Sequence, residues 1–311
     1  MMSDPVAPTD GSIAVVGLGA IGGALAARLV ETGADVVVWD VVPAALERAE
    51  EAGARPASGG AQAAAEASVL IVCVPDAAAL RIAVLGEGGV LEGAAAGTLL
   101  IDMGTNLPSQ ARQMAALCAE RGVEFVDAPV SGGPRRARSG ELSTMAGGST
   151  EAIERAEPVL GAIAAHVFHV GAVGAGQAMK LVNNLLTAVN LAAIGEALAL
   201  GLGEGLDLGT IHKVVTVSSG DSKRFRDSVP RVLRGEIGTT YGRVDILAKD
   251  LEMALSVGSE RKLPMPAATL VSQIFRVVQS EGEGGRDIEA LIEWYARLGG
   301  TDPGSMADPD W

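Results

Sequence analysis

A glycine-rich turn between a strand and a helix is the feature that most constrains the fold of this chain. The turn consists of Gly17, Leu18, Gly19, Ala20, Ile21 and Gly22. It follows the predicted strand Ser12–Val16 and opens the predicted helix Ala20–Thr32. In a G-x-G-x-x-G turn placed this way, the first glycine permits the tight turn, the second lets the backbone approach a pyrophosphate, and the third allows close helix-strand packing. The turn therefore predicts a dinucleotide-binding site at a helix N-terminus.

An acidic residue at the end of the second predicted strand, Asp35–Asp40, indicates which dinucleotide binds. Asp40 lies about 20 positions after Gly19, where a carboxylate accepts hydrogen bonds from the adenosine ribose hydroxyls. A carboxylate at this position repels a 2′-phosphate, and residues 41–43 contain no Arg or Lys to neutralise one. We therefore expect NAD rather than NADP as the cofactor.

Short β-branched runs alternate with Ala- and Leu-rich helical segments in the first half of the chain. The predicted strands are Ser12–Val16, Asp35–Asp40, Val69–Val74, Leu99–Asp102 and Glu124–Ala128. The predicted helices are Ala20–Thr32, Pro43–Ala52, Ala77–Leu85 and Pro108–Arg121. A further strand, helix and strand are predicted at Leu142–Ala146, Ala152–Leu160 and Val167–Val170. This alternation predicts an α/β, Rossmann-type, doubly wound parallel sheet.

The chain changes character after Gly176, where strand-like runs end. A helix from Gln177 to about Gly203 is predicted to lead an all-α C-terminal domain. Helix breaks are predicted at Gly205, 218–220, Pro230, Pro264 with Pro266, and 282–285. We predict a dinucleotide-binding domain at 12–175, an all-helical substrate and oligomerisation domain at 176–298, and flexible tails at 1–11 and 299–311.

The charge balance argues against a nucleic-acid partner. There are 24 Lys and Arg against 38 Asp and Glu, which gives a formal net charge of −14, whereas phosphate binding needs clustered cations. The same acidic charge disfavours an anionic membrane surface.

Cysteine usage and the N-terminal sequence predict a cytoplasmic protein. The two cysteines, Cys73 and Cys118, cannot form a disulfide framework, and the first residues lack the features of a secretory signal. The apolar stretch Leu185–Leu202 contains Asn190 and Glu196, which favours a buried helix over a membrane span. No set of His, Cys and carboxylate residues has the spacing of metal ligands, so we expect no metal site.

Two further segments carry candidate chemistry. A small-residue turn containing Ser131, Gly132 and Gly133 follows the strand Glu124–Ala128, and its backbone N–H groups and hydroxyl suit an anion such as a carboxylate. Downstream, Lys180 and Asn184 lie one turn apart on the same face of the long predicted helix. From the residues alone, Lys180 is equally consistent with a surface lysine whose stem packs on apolar neighbours.

Four blocks of the sequence resemble, in order and spacing, the β-hydroxyacid dehydrogenase family, which contains 3-hydroxyisobutyrate dehydrogenase and tartronate semialdehyde reductase. The blocks are Gly17–Gly22, Asp127–Gly133 with Gly140, Gly174–Asn184, and Lys249–Leu251. The similarity extends from about Ile13 to Tyr295. It implies a dinucleotide-binding domain followed by a helical domain, with the substrate between them. It also implies association into a homodimer or homotetramer through the helical domain.

The resemblance assigns a role to each matching residue. Lys180 is implied to be the catalytic acid/base, and Asn184 its neighbour that positions the substrate. Ser131, Gly132 and Gly133 are implied to bind the substrate carboxylate. Residues implied to surround the nicotinamide end of the cofactor are Val74, Pro75, Thr105 and Lys249, while Asp250 is implied to orient a loop.

These roles imply an NAD-dependent dehydrogenase of a small 3-hydroxy acid, and the first candidate substrate is 3-hydroxyisobutyrate-like. The alternatives are a 2-hydroxy-3-oxopropionate (tartronate semialdehyde) reductase and a dehydrogenase for a dianionic 3-hydroxy acid. The dianion is suggested by Arg135, Arg136 and Lys223, which are equally consistent with solvated surface charges. A hypothesis from a different functional class is that the protein is a non-catalytic NAD-binding module. Imine reduction is disfavoured by Lys180, and a 6-phosphogluconate dehydrogenase by the short helical part.

Overall fold

Nine strands from the first half of the chain form one sheet in the computed structural model, which describes residues 11–238 and 242–307. The strands are β1 Ser12–Val16, β2 Val36–Trp39, β3 Arg55–Pro56, β4 Ala67–Val72, β5 Leu99–Asp102, β6 Glu124–Asp127, β7 Val130–Ser131, β8 Leu142–Gly147 and β9 Ala164–Gly171. Their order is β3-β2-β1-β4-β5-β6-β8-β7, and β9 pairs with β8. The pairs from β3 to β6 are all parallel.

Helices cover both faces of this sheet. They are α1 Gly22–Glu31, α2 Pro43–Glu51, α3 Gly60–Ala65, α4 Ala77–Leu85, α5 Val90–Gly93, α6 Pro108–Ala119, α7 Gly133–Ser139 and α8 Thr150–Ile163. Alternate residues of β1 enter different cores: Ile13 and Val15 pack in one, and Ala14 and Val16 in the other. Burial on both faces explains why the strands are continuous apolar runs, and the doubly wound α/β architecture is confirmed.

The sheet differs from the prediction where β8 joins it, because β8 runs antiparallel to β6 and β7. Antiparallel neighbours need only a short connection, whereas a parallel crossover needs a dozen or more residues. The two-residue strands β3 and β7 and the short helices α3 and α5 are absent from the prediction. So is α7, into which the turn at 131–133 leads directly, with Pro134 in its first turn, where proline is tolerated.

The second half of the chain is helical. The helices are α9 Ala175–Gly203, α10 Leu208–Val215, α11 Lys223–Leu233, α12 Val244–Glu260, α13 Pro266–Ser280 and α14 Ala290–Leu298, with 3-10 turns at Glu283–Gly285 and Pro303–Met306. The chain divides into two compact units between Lys180 and Leu181. In the described part of the second unit, β structure is limited to one bridge, Arg243 with Asp287. The all-α character is therefore as predicted.

The predicted break at Pro230 is wrong, because this residue lies inside α11. A proline there leaves the Arg226 carbonyl without its intrahelical donor and strains the turn. Burial of Phe225, Val229 and Val232 in the core of the second unit favours the continuous helix nonetheless. The other predicted breaks fall between helices or at a helix start.

Length and composition alone would allow α9 to cross a membrane, and 33% of its most apolar window is buried in the protein. Ala188, Leu191 and Leu198 of this helix belong to the core of the second unit. The predicted tails fall partly outside the described residues, at 1–10 and 308–311. Within 299–307, Met306 is buried in the same core.

A buried charge cluster joins α11 to the segment before α14. Arg231, with a side chain 7% exposed, donates to Asp287 Oδ2 at 2.7 Å and to the Glu289 carboxylate. We expect Arg231→Met to lower the free energy of unfolding by about 3–5 kcal/mol, because the buried Asp287 and Glu289 carboxylates would lose the cation that they share, although Arg224 still lies 3.3 Å from Glu289 Oε1. The matched surface variant Arg276→Met, which breaks an exposed pair with Glu252, should cost less than about 1 kcal/mol. Urea unfolding followed by circular dichroism measures both, and equal losses would contradict the prediction.

Candidate active site

The glycine turn adopts the geometry that its sequence predicts. Gly17 has φ +90°, and a Cβ there would lie 2.4 Å from the Cys73 carbonyl oxygen. A Cβ on Gly22 would lie 1.9 Å from the Gly17 carbonyl oxygen, so α1 approaches the turn closely. At Gly19, in contrast, an added Cβ would meet no atom within 4 Å. The first and third glycines are thus required by the protein's own packing, and the second faces open space.

This open space suits a dinucleotide pyrophosphate. The first turn of α1 has no side-chain cap at its N-cap residue Ile21, and N–H groups at a helix start bind anions. The Gly19 backbone is accessible to a phosphate because no protein atom covers it. Ala20 lies in the same exposed part of the turn. The residues present therefore fit the predicted cofactor.

Asp40 follows β2 and contacts the glycine turn directly. Its Oδ2 accepts a hydrogen bond from Leu18 N at 2.5 Å, and its Oδ1 accepts one from Val42 N at 2.8 Å. A carboxylate offers about four lone-pair sites, so acceptor capacity remains for ribose hydroxyls. Asp40 thus fixes the turn, and its remaining acceptor capacity is compatible with the ribose-binding role that the sequence predicts.

One of the residues expected near the nicotinamide, Val74, lies beside the turn. A Cβ on Gly17 would be 2.9 Å from Val74 Cγ1, and a Cβ on Gly104 would be 2.9 Å from the Val74 carbonyl oxygen. Val74 therefore lies between the glycine turn and the segment that carries Thr105. Pro75 is exposed in the next position, and Thr105 is partly buried.

The first turn of α9 is capped by a carboxylate from a distant strand. Asp127, the last residue of β6, accepts hydrogen bonds from Gly174 N at 2.7 Å and from Gln177 N at 2.8 Å. A negative charge at a helix N-terminus is favourable. Gly176 is closely packed here, since a Cβ would lie 2.3 Å from the Met145 carbonyl oxygen. The first turn of α9, which leads to Lys180, is thereby fixed to the end of the sheet.

A second buried carboxylate holds the loop after β5. Asp102 accepts from Gly104 N at 3.0 Å and from Asn106 Nδ2 at 2.8 Å. Burial raises the pKa of Asp102 to about 7, and the charge of Asp127 adds to the rise. Burial also raises the pKa of Asp127 to about 6, although the N–H bonds from Gly174 and Gln177 oppose it. The sequence analysis assigned no role to Asp102, Asn106 or Gln177. The sequence feature that could have indicated a role for Asp102 is that the neighbouring strands β5 and β6 each end in Asp.

Lys180 is buried beside the predicted carboxylate-binding turn. Lys180 is only 9% exposed, and its Nζ donates to the Val130 carbonyl oxygen at 2.6 Å. Val130 directly precedes Ser131, so the ammonium and the hydroxyl-bearing turn are brought together within the first unit. Gly132 and Gly133 both have positive φ, at +139° and +72°. A glycine is thus required at each to shape the turn.

Asn184 and Lys249 both contact Asp250 in a polar cluster of the second unit. Asn184 Nδ2 donates to Asp250 Oδ2 at 2.6 Å, and Lys249 Nζ lies 3.2 Å from Asp250 Oδ1. Both Lys249 and Asp250 lie within α12, so the expectation that Asp250 orients a loop is wrong. Asp250 instead holds the Asn184 amide in one orientation, because its carboxylate accepts from the nitrogen.

The cations considered for a second anionic group differ in their surroundings. Lys223 pairs with Asp227 at 2.7 Å on the surface of α11. Arg135 and Arg136 are exposed on α7. The stem of Arg136 packs over the predicted carboxylate-binding turn, since a Cβ on Gly132 would lie 3.0 Å from Arg136 Cβ and Cδ. Among the described residues Arg136 forms no ion pair, in contrast to its neighbour Arg138, which pairs with Glu31.

Among the described residues, no group of three or more His, Cys, Asp or Glu has a metal-binding arrangement.

Comparisons with known proteins match most of this chain, in both of its units. Residues 12–171 match the NAD-binding domain of 6-phosphogluconate dehydrogenase, and residues 174–295 match the NAD-binding model of NADP-dependent 3-hydroxyisobutyrate dehydrogenase. An L-threonate dehydrogenase from Cupriavidus necator is 38% identical over 285 residues, covering 91% of this chain and 96% of the relative. A 2-(hydroxymethyl)glutarate dehydrogenase from Eubacterium barkeri is 35% identical over 290 residues, covering 93% and 96%.

A solved structure has the same fold. The 3-hydroxyisobutyrate dehydrogenase from Mycobacterium tuberculosis, with L-serine, superimposes with a TM-score of 0.83 at 30% identity, covering 92% of this chain and 99% of that one. A nicotinamide cofactor and oxidation at a CH–OH group follow from these similarities.

Proposed function

This chain belongs to the β-hydroxyacid dehydrogenase family, and on that premise we propose that it is an NAD-dependent dehydrogenase of a small 3-hydroxy acid. The observation that carries the proposal is the position of Lys180, whose ammonium donates a hydrogen bond to the carbonyl oxygen of Val130, the residue before Ser131. A non-catalytic NAD-binding module would need the glycine turn alone, and a buried lysine beside an anion-binding turn would have no use in it.

The proposed mechanism uses the chain's own groups for binding and proton transfer. Ser131 and the backbone of Gly132 and Gly133 bind the substrate carboxylate, and Asn184 orients the hydroxyl. Lys180 takes the hydroxyl proton in oxidation and returns it to the forming alkoxide in reduction. A lysine acts as a base only in its neutral form, which burial favours. When bound, the nicotinamide accepts or supplies the hydride.

Cofactor choice and organisation are part of the same proposal. Asp40 supports NAD over NADP, because its charge repels a 2′-phosphate. Residues 12–175 would bind the dinucleotide, and 176–298 would form the substrate and oligomerisation domain of a homodimer or homotetramer. We place the enzyme in the cytoplasm, with Cys73 and Cys118 as reduced thiols.

The substrate is proposed to be 3-hydroxyisobutyrate-like, with tartronate semialdehyde as the second candidate. Support comes from the relatives, two of which are named as dehydrogenases of L-threonate and 2-(hydroxymethyl)glutarate. The solved 3-hydroxyisobutyrate dehydrogenase is described with L-serine. All three compounds carry a hydroxyl at carbon 3, counted from a carboxylate carbon, and 2-(hydroxymethyl)glutarate is a dicarboxylate. Arg136 is the specific observation that favours a dianionic substrate as a further candidate, since its stem packs on Gly132 and its guanidinium suits a second carboxylate.

Arg136→Met tests the dianionic substrate. If Arg136 binds a second carboxylate, the KM for 2-(hydroxymethyl)glutarate should rise about 10- to 100-fold, the loss of a charge-assisted hydrogen bond, while the KM for 3-hydroxyisobutyrate changes little. Arg138→Met, which removes a neighbouring cation paired with Glu31, is the matched control. Equal KM values for the dicarboxylate in both variants would assign Arg136 to the surface.

The experiment that tests the proposed function is the initial rate of NADH formation over a substrate panel, with NADP in parallel. The panel contains 3-hydroxyisobutyrate, glycerate, L-serine, L-threonate and 2-(hydroxymethyl)glutarate, and tartronate semialdehyde is assayed with NADH in the reductive direction. We expect turnover of at least one 3-hydroxy acid and a higher kcat/KM with NAD than with NADP. NADH binding without turnover on any member would favour the non-catalytic module, and turnover of cyclic imines alone would favour imine reduction.

A further inference from the structure

Gln177, which lies one helical turn before Lys180 on α9, is completely buried and hydrogen-bonded at both its main chain and its side chain. Its backbone N–H donates to Asp127 Oδ2 at 2.8 Å. Its side-chain Oε1 accepts from Asn106 N at 2.9 Å, and Nε2 donates to the Gly104 carbonyl oxygen at 3.0 Å. Nε2 also lies 3.4 Å from Asp102 Oδ2. One residue therefore connects α9 to the ends of two different strands.

The loop that this side chain holds is the one that carries Thr105. Gly104 and Asn106 flank Thr105 in sequence, and both main-chain groups bonded by Gln177 belong to these two residues. The loop therefore cannot move relative to the first turn of α9 without breaking at least one of these bonds. An amide suits the position because it offers a donor and an acceptor at the same end, and the loop presents one carbonyl and one N–H.

We infer that Gln177 is a positioning residue for hydride transfer: it fixes the distance between the cofactor-binding loop at 103–106 and the Lys180 ammonium. This inference rests on the proposed function, in which Lys180 moves the proton while hydride passes at the nicotinamide. Reacting groups must be held about 3–3.5 Å apart, and a displacement of about 1 Å costs roughly 100-fold in rate. Gln177 contacts neither group and acts through the two segments that it joins.

Two variants test the inference. Gln177→Met keeps the length of the side chain and removes both polar groups, so kcat should fall about 100-fold, while KM and the Kd for NADH change less than about threefold. The primary deuterium isotope effect on kcat should rise, because hydride transfer becomes the slow step. Gln113→Met, on the exposed face of α6, is the matched control and should behave as the unchanged enzyme.

Gln177→Glu separates positioning from a general role in folding. A protonated carboxyl has the amide's shape, with one O–H donor and one acceptor, whereas an ionised carboxyl has no donor and faces Asp102. The ionisable groups around this position are Asp102 on β5, Asp127 on β6 and Lys180 on α9. Relative to the unchanged enzyme at each pH, kcat of this variant should rise about tenfold per pH unit as the pH falls through the titration of the introduced carboxyl.

The outcomes are distinct. Loss of kcat in Gln177→Met with NADH binding retained, together with recovery of Gln177→Glu at low pH, supports positioning. Retention of more than a third of kcat by Gln177→Met would overturn the inference. Loss of NADH binding and of thermal stability in both variants, with no recovery at low pH, would also overturn it and assign Gln177 to folding alone. If the unchanged enzyme oxidises none of the hydroxy acids in the panel, the proposed function fails instead, because that result does not depend on Gln177.

Discussion

Replacement of Lys180 by alanine is expected to lower kcat by about 10²- to 10⁴-fold, the usual contribution of a positioned proton-transfer group. The corresponding loss of transition-state stabilisation is about 3–5 kcal/mol. NADH should bind to the variant as it does to the unchanged enzyme, because the glycine turn and Asp40, not Lys180, are proposed to bind the cofactor. Stopped-flow single-turnover kinetics and NADH fluorescence titration measure the two quantities.

Lys180→Arg distinguishes proton transfer from simple charge stabilisation. An arginine retains the positive charge but is not deprotonated in proteins, so it cannot act as a base. We expect this variant to lose as much activity in the oxidation as Lys180→Ala does. Lys213→Ala, on the exposed side of α10, controls for removal of a lysine elsewhere. If Lys180→Ala kept more than a tenth of kcat with NADH bound normally, the acid/base assignment would be wrong.

The second large effect concerns two glycines of one turn that should fail in different ways. Gly19→Ala should leave the free energy of unfolding within about 0.5 kcal/mol of its original value, because its Cβ meets no protein atom. The same methyl group occupies the space proposed for the pyrophosphate. Losing one charge-assisted hydrogen bond from the backbone costs about 1.5–3 kcal/mol, so NADH binding should weaken about 10- to 100-fold.

Gly22→Ala should instead destabilise the protein itself. Its Cβ would lie 1.9 Å from the Gly17 carbonyl oxygen, so α1 must move away from β1. Overpacking of this kind costs about 1–3 kcal/mol or more, and the displaced helix start also loses NADH affinity. Urea unfolding and NADH titration of both variants test the pair. Equal stability losses at Gly19 and Gly22 would contradict the proposed division of tasks.

The regular part of the fold was predictable because its signals are local. β1, β4 and β5 are continuous apolar runs buried on both faces, and the glycine turn follows β1 at the position that its spacing requires. Short elements that depend on distant partners were not predictable. The two-residue strand β7 exists only because β8 pairs with it, and α7 begins with Gly-Pro, which has low intrinsic helix propensity. The sequence predicted a helix break at Pro230 because a proline removes one backbone hydrogen bond from a helix. The burial of neighbouring α11 side chains in the core of the second unit, which favours the continuous helix, is not visible in the local sequence.

In the candidate site, too, features with a local sequence signal were predictable and features that depend on distant partners were not. Lys180, Ser131 and the glycine turn stand out by residue type and spacing, and the structure brings Lys180 next to the Ser131 turn. The supporting bonds of Gln177 and Asp127 join residues 47 to 75 positions apart. Nothing in the local sequence indicates these partners, because a buried glutamine at a helix start has many satisfactory environments.

The capping of α9 by Asp127 bears on the order in which the first unit is completed during synthesis. The chain emerges from the ribosome at about 5–20 residues per second, N-terminal part first. Asp102 and Asp127 are therefore made well before Gly174 and Gln177, the residues that donate to them. Until those residues emerge, Asp127 lacks the donors that make its burial favourable, whereas Asp102 already has Gly104 N and Asn106 Nδ2 as donors. The end of β6 stays hydrated, and the nascent sheet acquires its final buried form only when the turn of helix that precedes Lys180 has been translated.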